Sequence, residues 1–214
     1  MAVAYISSWR TEPGKFNEHL AGMTEALAHL RRLGLRAVLL QAIAGADAGT
    51  MSHSINFANY AEFATSFQKV NSDPGWQEFY ADVMSKGTAV EVEATLYQDA
   101  DASFQPAADR PLGVIAATQW RPLHGRGADF LAHVEQGVQH VQRLGGTVRV
   151  MQSVNGLHPN TVLIPVTFAD LDAWAAYSDA LATDEQWQAF WAGVMADPTA
   201  DLLRAGVYVN ISGD

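Results

Sequence analysis

The chain is written twice. Displaced by 111 positions, residues 3–103 align on residues 114–214 without a gap, and 27 of the 101 pairs are identical. The matches fall in blocks: Trp9-Arg10 on Trp120-Arg121, Arg32-Leu33-Gly34 on Arg143-Leu144-Gly145, and Trp76-Gln77-x-Phe79 on Trp187-Gln188-x-Phe190. A period this long is not a solenoid unit; it reads as two duplicated domains. Their expected extents are 1–100 and 113–214, joined by a linker over 101–112 in a stretch rich in Asp, Ala and Pro.

Each copy has the same predicted elements. Short β-prone runs at 3–9 and 114–120 open them. A helix follows, in which Phe16, Leu20, Met23, Leu27 and Leu30 recur at three- and four-residue spacing. Gly34 and Gly145 mark its end, each just after an Arg suited to the negative helix terminus. Strands are predicted at 37–44 and 51–57, and again at 148–154 and 162–168. Two helices and a last strand, at 90–97 or 202–209, complete each copy. Asp73 and Asp184 precede the aromatic helices and read as N-caps. The order β-α-β-β-α-β is the ferredoxin-like unit. One such sheet leaves a face uncovered, so the expected fold is α+β, with two tandem ferredoxin-like repeats packed sheet to sheet as an intramolecular barrel.

Composition removes several function classes. A net charge of -10 with no polybasic run argues against nucleic acid or an anionic membrane as partner. The absence of cysteine excludes disulfides and thiolate chemistry. No uninterrupted apolar stretch reaches membrane-spanning length, and the first residues lack a basic segment ahead of a long apolar one. A cytoplasmic location is therefore expected. His133 and His140 lie seven apart without a third ligand at suitable spacing, so no metal site is expected. Expected partners are a small-molecule ligand and, for the whole chain, further copies of itself.

The Trp9-Arg10 strand end before Pro13-Gly14, the run Phe57-Ala-Asn-Tyr-Ala-Glu-Phe63 and the helix Asp73-Pro-Gly-Trp76-Gln-Glu-Phe79, all with counterparts in the second copy, resemble the dimeric α+β barrel superfamily in its single-chain tandem form. The similarity is to its NIPSNAP-like and antibiotic-biosynthesis-monooxygenase-like members. It implies a fold that hosts cofactor-free monooxygenases, haem-degrading oxygenases, small isomerases, decarboxylases and proteins with no known activity, and so it does not select a reaction. The haem-degrading relatives place an axial His on the second helix. Residues 58–70 and 169–181 contain none, so no haem and no other cofactor is expected.

Differences between the copies carry the candidate chemistry. His53 interrupts an apolar strand face with Met51, Ile55 and Phe57, where the second copy has Ile164; His19 borders the first helix stripe where the second copy has Phe130. Either imidazole suits acid or base catalysis. Tyr5, Trp9, Gln41, Asn56 and Tyr97 are candidate substrate-binding groups, because aromatic walls with a few polar atoms suit a planar apolar ligand. The functional expectation is a pocket in the more polar first copy. It would handle a small apolar or aromatic molecule by cofactor-independent oxidation or proton transfer. The alternative is a non-catalytic ligand-binding or assembly scaffold.

Overall fold

Alternating strands and amphipathic helices build one closed sheet covered by helices. The computed structural model describes residues 1–102, 104 and 112–213, so most of the expected linker lies outside the described residues. The first half runs β1 (Val3–Thr11), α1 (Phe16–Arg32), β2 (Arg36–Gly45), β3 (Thr50–Phe57), α2 (Tyr60–Ser72), α3 (Pro74–Lys86) and β4 (Ala89–Asp99). The second runs β5 (Val114–Pro122), α4 (Gly127–Arg143), β6 (Thr147–Val148), β7 (Met151–Ser153), β8 (Val162–Phe168), α5 (Leu171–Thr183), α6 (Glu185–Ala196) and β9 (Ala200–Asn210). Among the described residues, no helix is long and apolar enough to cross a membrane.

Strand order is β5-β9-β2-β3-β1-β4-β7-β8, and β8 pairs back onto β5, which closes an eight-stranded antiparallel barrel; β6 adds a further short pairing to β8. The two halves therefore meet edge to edge, through β2–β9 and β4–β7, rather than only by stacking their faces. Closure satisfies the backbone groups that four exposed sheet edges would have left open. Both halves carry the same irregularity, a register shift between Ser8 and Trp9 against β4 and between Gln119 and Trp120 against β9.

One predicted strand differs. The run expected over 148–154 is split into β6 and β7 around Arg149 and Val150. In the first half Val38 pairs with Ser54, but the matching partner in β8 is Pro165. Proline has no N–H to give to the ladder, and only Arg149 N–H to Pro165 O survives, at 3.0 Å. The Arg149 side chain binds Asp99 through two hydrogen bonds of 2.6 and 2.7 Å.

Side-chain alternation sorts residues onto two faces. Under the helices of the first half lies a dense core of Val3, Met23, Leu27, Leu39, Met51, Ile55 and Phe57, with Tyr5 and Trp9 packed against it. The other face lines the barrel lumen, where Ala4, Tyr97, Met151 and Leu163 form a smaller cluster. The helix starts follow their sequence signals: Asp73 accepts from Trp76 N–H at 2.8 Å and Asp184 from Trp187 N–H at 2.7 Å. The same arginine closes each cap, Arg32 on Asp73 and Arg143 on Asp184, both at 2.6 Å.

Candidate ligand pocket

The helix-covered face is solid in the first half and hollow in the second. A cavity of about 460 Å³ lies between α4, α5, α6 and the strands β5, β8 and β9. This size falls within the roughly 300–1,000 Å³ usual for small-molecule sites. Its origin is a set of smaller side chains at matching positions. Tyr5 of the first half corresponds to Ala116, Met23 to Val134, Ala26 to Gly137, and Leu27 and Leu30 to Val138 and Val141. In the first half the Tyr5 ring fills its space against Phe63 and Phe67, at 6.2 and 5.9 Å between ring centres. In the second half Ala116 leaves that volume empty. A few exchanges run the other way, such as Ser66 to Tyr177 and Tyr80 to Trp191, and these put aromatic surface on the cavity wall.

The wall is aromatic and aliphatic. Trp187 and Trp191 stack at 5.7 Å, and Trp120 meets Trp191 edge-on at 6.0 Å. Polar groups are few and mostly engaged. Trp120 Nε1 donates to Thr118 Oγ1 at 2.9 Å, and His133 Nδ1 lies 3.1 Å from Thr199 Oγ1. That contact uses Nδ1, so Nε2 is the ring nitrogen left to meet a bound molecule. Burial raises the pKa of the Tyr177 phenol, which keeps it neutral and protonated.

Gly137 shows how locally this cavity is determined. It lies inside α4, and a Cβ there would meet Phe190 Cε1 and Cζ at 3.6 Å, an ordinary contact. Gly137→Ala, which restores the residue type of Ala26, is expected to raise stability by about 0.5–1 kcal/mol through helix propensity. Urea denaturation checks this; a loss of stability would mean the helix cannot approach Phe190 as described.

The residues singled out from sequence separate into two groups, and neither the 460 Å³ pocket nor the barrel lumen brings them all together. His53 is 5% exposed and donates from Nε2 to the carbonyl of Met23 at 2.9 Å. Burial, with a smaller contribution from His19, pushes its pKa down to about 4 against the raising effect of the Met23 bond. His19 is also buried, with Nδ1 2.7 Å from Thr11 Oγ1, Nε2 without a partner and a pKa lowered by burial. Tyr5 and Trp9 pack on the first-half core. Gln41 lies in the ladder between Met51 and Val209. Asn56 and Tyr97 face the lumen instead: Asn56 Oδ1 accepts from Arg149 at 2.7 Å, and the Tyr97 hydroxyl donates to Glu93 at 3.4 Å. The pocket residues Ala116, Val134, Gly137 and His133 were visible in the repeat alignment. For Ala116, Val134 and Gly137 the signal is lost volume; His133 stands where the first copy has Gly22, a gain of polarity like that at His53.

No family model and no curated protein sequence matches the chain. Solved structures do. An anthrone oxidase-like protein aligns with a TM-score of 0.61 and 14% identity, over 100% of this chain and 94% of its own. A candidate monooxygenase from Fusobacterium nucleatum aligns at 0.62 and 11%, over 100% and 96%. A chlorite dismutase from Candidatus Nitrospira defluvii aligns at 0.55 and 5%, over 97% and 90%. At these identities the likeness is one of fold.

Proposed function

We propose that this chain, a dimeric α+β barrel closed within one polypeptide, binds a planar polycyclic molecule in the second-half pocket and oxidises it with dioxygen. We read its halves as tandem ferredoxin-like repeats, of which the first is a filled scaffold and the second the working copy. The observation that carries the proposal is the cavity bounded by Trp120, Trp187 and Trp191, with His133 on its wall. Aromatic walls favour a flat apolar ligand, and one imidazole supplies a base. The name of one neighbour, anthrone oxidase-like, describes a substrate of that shape.

The chemistry balances without a cofactor. His133 Nε2 takes one proton from the activated methylene of an anthrone-type ring. The electron-rich enolate adds dioxygen, the imidazolium returns its proton to the peroxide oxygen to give a hydroperoxide, and loss of water leaves the ketone of a quinone. Dioxygen is the oxidant, reduced to water, and no external reductant is consumed. The apolar walls would hold the reacting carbon near the imidazole.

Two measurements test this reading. Anthrone should be bound and should drive oxygen uptake, and His133→Gln should keep the binding and lose the uptake. Binding without uptake in the unsubstituted protein would assign the pocket to a carrier instead. Ala116→Tyr, which restores the first-half ring, should weaken anthrone binding at least about tenfold while changing stability by less than about 1.5 kcal/mol. Unchanged binding in that variant would place the ligand elsewhere.

A further inference from the structure

The barrel lumen holds a second and larger chamber on the opposite face of β5, β8 and β9. We infer that it is a separate binding site, for a neutral, hydroxylated molecule with one polar edge and one apolar face. An eight-stranded barrel is just wide enough to be filled by its own side chains or to hold one small ligand. This barrel does both. In one part, Tyr97, Gln119, Thr161 and Ser153 are buried and hydrogen-bonded together; Gln119 Nε2 donates to Thr161 Oγ1 at 2.7 Å, and Thr161 Oγ1 lies 3.1 Å from Ser153 Oγ. In the rest, a cavity of about 1210 Å³ remains.

Its two walls differ because the copies differ. The first half contributes Ser8, Ser52, Ser54 and Asn56; the second contributes Ile115, Ala117, Leu163 and Pro165. The hydroxyl and amide groups of β1 and β3 thus face mainly apolar side chains of β5 and β8, while Thr147, Thr167, Tyr208 and Asn210 add polar groups from the second half and Val38 and Leu40 apolar ones from the first. The polar row selects hydrogen-bonding groups along one edge of a ligand, and the apolar row covers its flat face. Charge is already balanced within the walls. Arg149 is held by Asp99 at 2.6 Å, and Arg204 lies 2.5 Å from Glu93 and 3.5 Å from Asp47. Arg31 and Arg36, which also border the chamber, are engaged by the Ala37 carbonyl at 3.3 Å and by Glu62 at 3.5 Å. Four guanidiniums, those of Arg31, Arg36, Arg149 and Arg204, are thus set against four carboxylates, those of Asp47, Glu62, Glu93 and Asp99, so the chamber is suited to a neutral molecule rather than an anion. The Phe104 ring lies 4.5 Å from the Arg149 guanidinium and borders the same chamber, adding an aromatic surface beside the polar row.

The chain has no cysteine, which makes the lumen directly testable. Ser54→Cys places one thiol in the lumen, and Ala116→Cys places one in the outer pocket. Both changes are close in size, and circular dichroism confirms that each variant is folded. The probe is resveratrol, a neutral trihydroxystilbene, and the readout is the rate of N-ethylmaleimide labelling. Resveratrol should slow labelling of Ser54→Cys at least about tenfold and leave Ala116→Cys unchanged. Its trimethoxy analogue, which keeps the shape and loses the donors, should protect at least about tenfold less. A Ser54→Cys thiol that reacts only after denaturation would overturn the proposal, because the lumen would then be closed. Labelling unaffected by resveratrol, equal protection at both thiols, or equal protection by the trimethoxy analogue would overturn it as well. The anthrone measurements address the outer pocket alone and can fail or succeed independently.

Discussion

Arg204→Met is expected to destabilise the protein by about 3 kcal/mol or more, the usual cost of stranding one member of a buried ion pair. Glu93 is the member left behind. Its side chain is 4% exposed, and Arg204 NH1 lies 2.5 Å from its Oε2. Its other oxygen, Oε1, accepts from Thr95 Oγ1 at 2.7 Å and from the Tyr97 hydroxyl at 3.4 Å, so the carboxylate cannot leave the lumen without breaking these too. Burial alone would lower the Arg204 pKa, but Glu93 and Asp47 together raise it, so the guanidinium stays charged. The double variant Glu93→Gln/Arg204→Met should recover most of the loss, because the fully buried charge is then gone and the carboxylate that still loses the guanidinium, Asp47, is partly exposed and keeps the Tyr208 hydroxyl as a donor. Chemical denaturation of the two single variants and the double variant measures this. Additive losses would show that the two residues do not act as a pair.

The same pair explains why duplication within one chain matters. Glu93 and Arg204 occupy the same position of the 111-residue repeat. They meet across the relation that exchanges the two halves. Two identical copies would bring like charges together there, at a cost instead of a gain. The copies have therefore diverged into complementary partners, and a chain carrying only the first half would lack the guanidinium that Glu93 pairs with.

Acid should weaken the fold well above the pH at which carboxylates usually protonate. His53 has its pKa held down to about 4 by burial, whereas the unfolded chain takes up the proton near 6.5. Above about pH 6.5 both states are neutral at this residue, and its full contribution to stability is present. As pH falls through the window, the unfolded state gains the proton and the folded state does not. Stability falls by about 1.4 kcal/mol per pH unit, reaching a loss of about 3 kcal/mol near pH 4. His19, also lowered by burial, acts in the same direction. His53→Ile, which installs the residue type of Ile164, should flatten this dependence and make the variant the more stable protein at pH 5. Urea midpoints measured between pH 4 and 7 decide it; parallel profiles for the two proteins would show that His53 is not the titrating group.

Much of the candidate chemistry was legible, though not all by the same signal. Polarity differences between the copies marked His53, and the structure places it in a filled core where its ring is held neutral. The opposite face of the same strands sets Ser52, Ser54 and Asn56 against Leu163, Pro165 and Thr167, all of which line the lumen chamber. The outer pocket left one polar mark, His133 against Gly22, and otherwise only changes of size. Tyr5 against Ala116, or Met23 against Val134, are apolar-for-smaller exchanges that hydropathy passes over. Each is unremarkable alone, and only their coincidence in space makes a chamber.

The sequence by itself determined the duplication, the order of elements and the face on which each strand residue stands. These follow from local rules: a repeat is visible by alignment, and side chains alternate with a period of two along any strand. Tertiary structure decided that the halves join edge to edge, that Arg149 of one half pairs with Asp99 of the other, and that the helix-covered cavity belongs to the second half. The reason is that empty volume is a sum over elements far apart in the chain. Ala116, Gly137 and Val166 lie on β5, α4 and β8, and no local pattern records that they face one another.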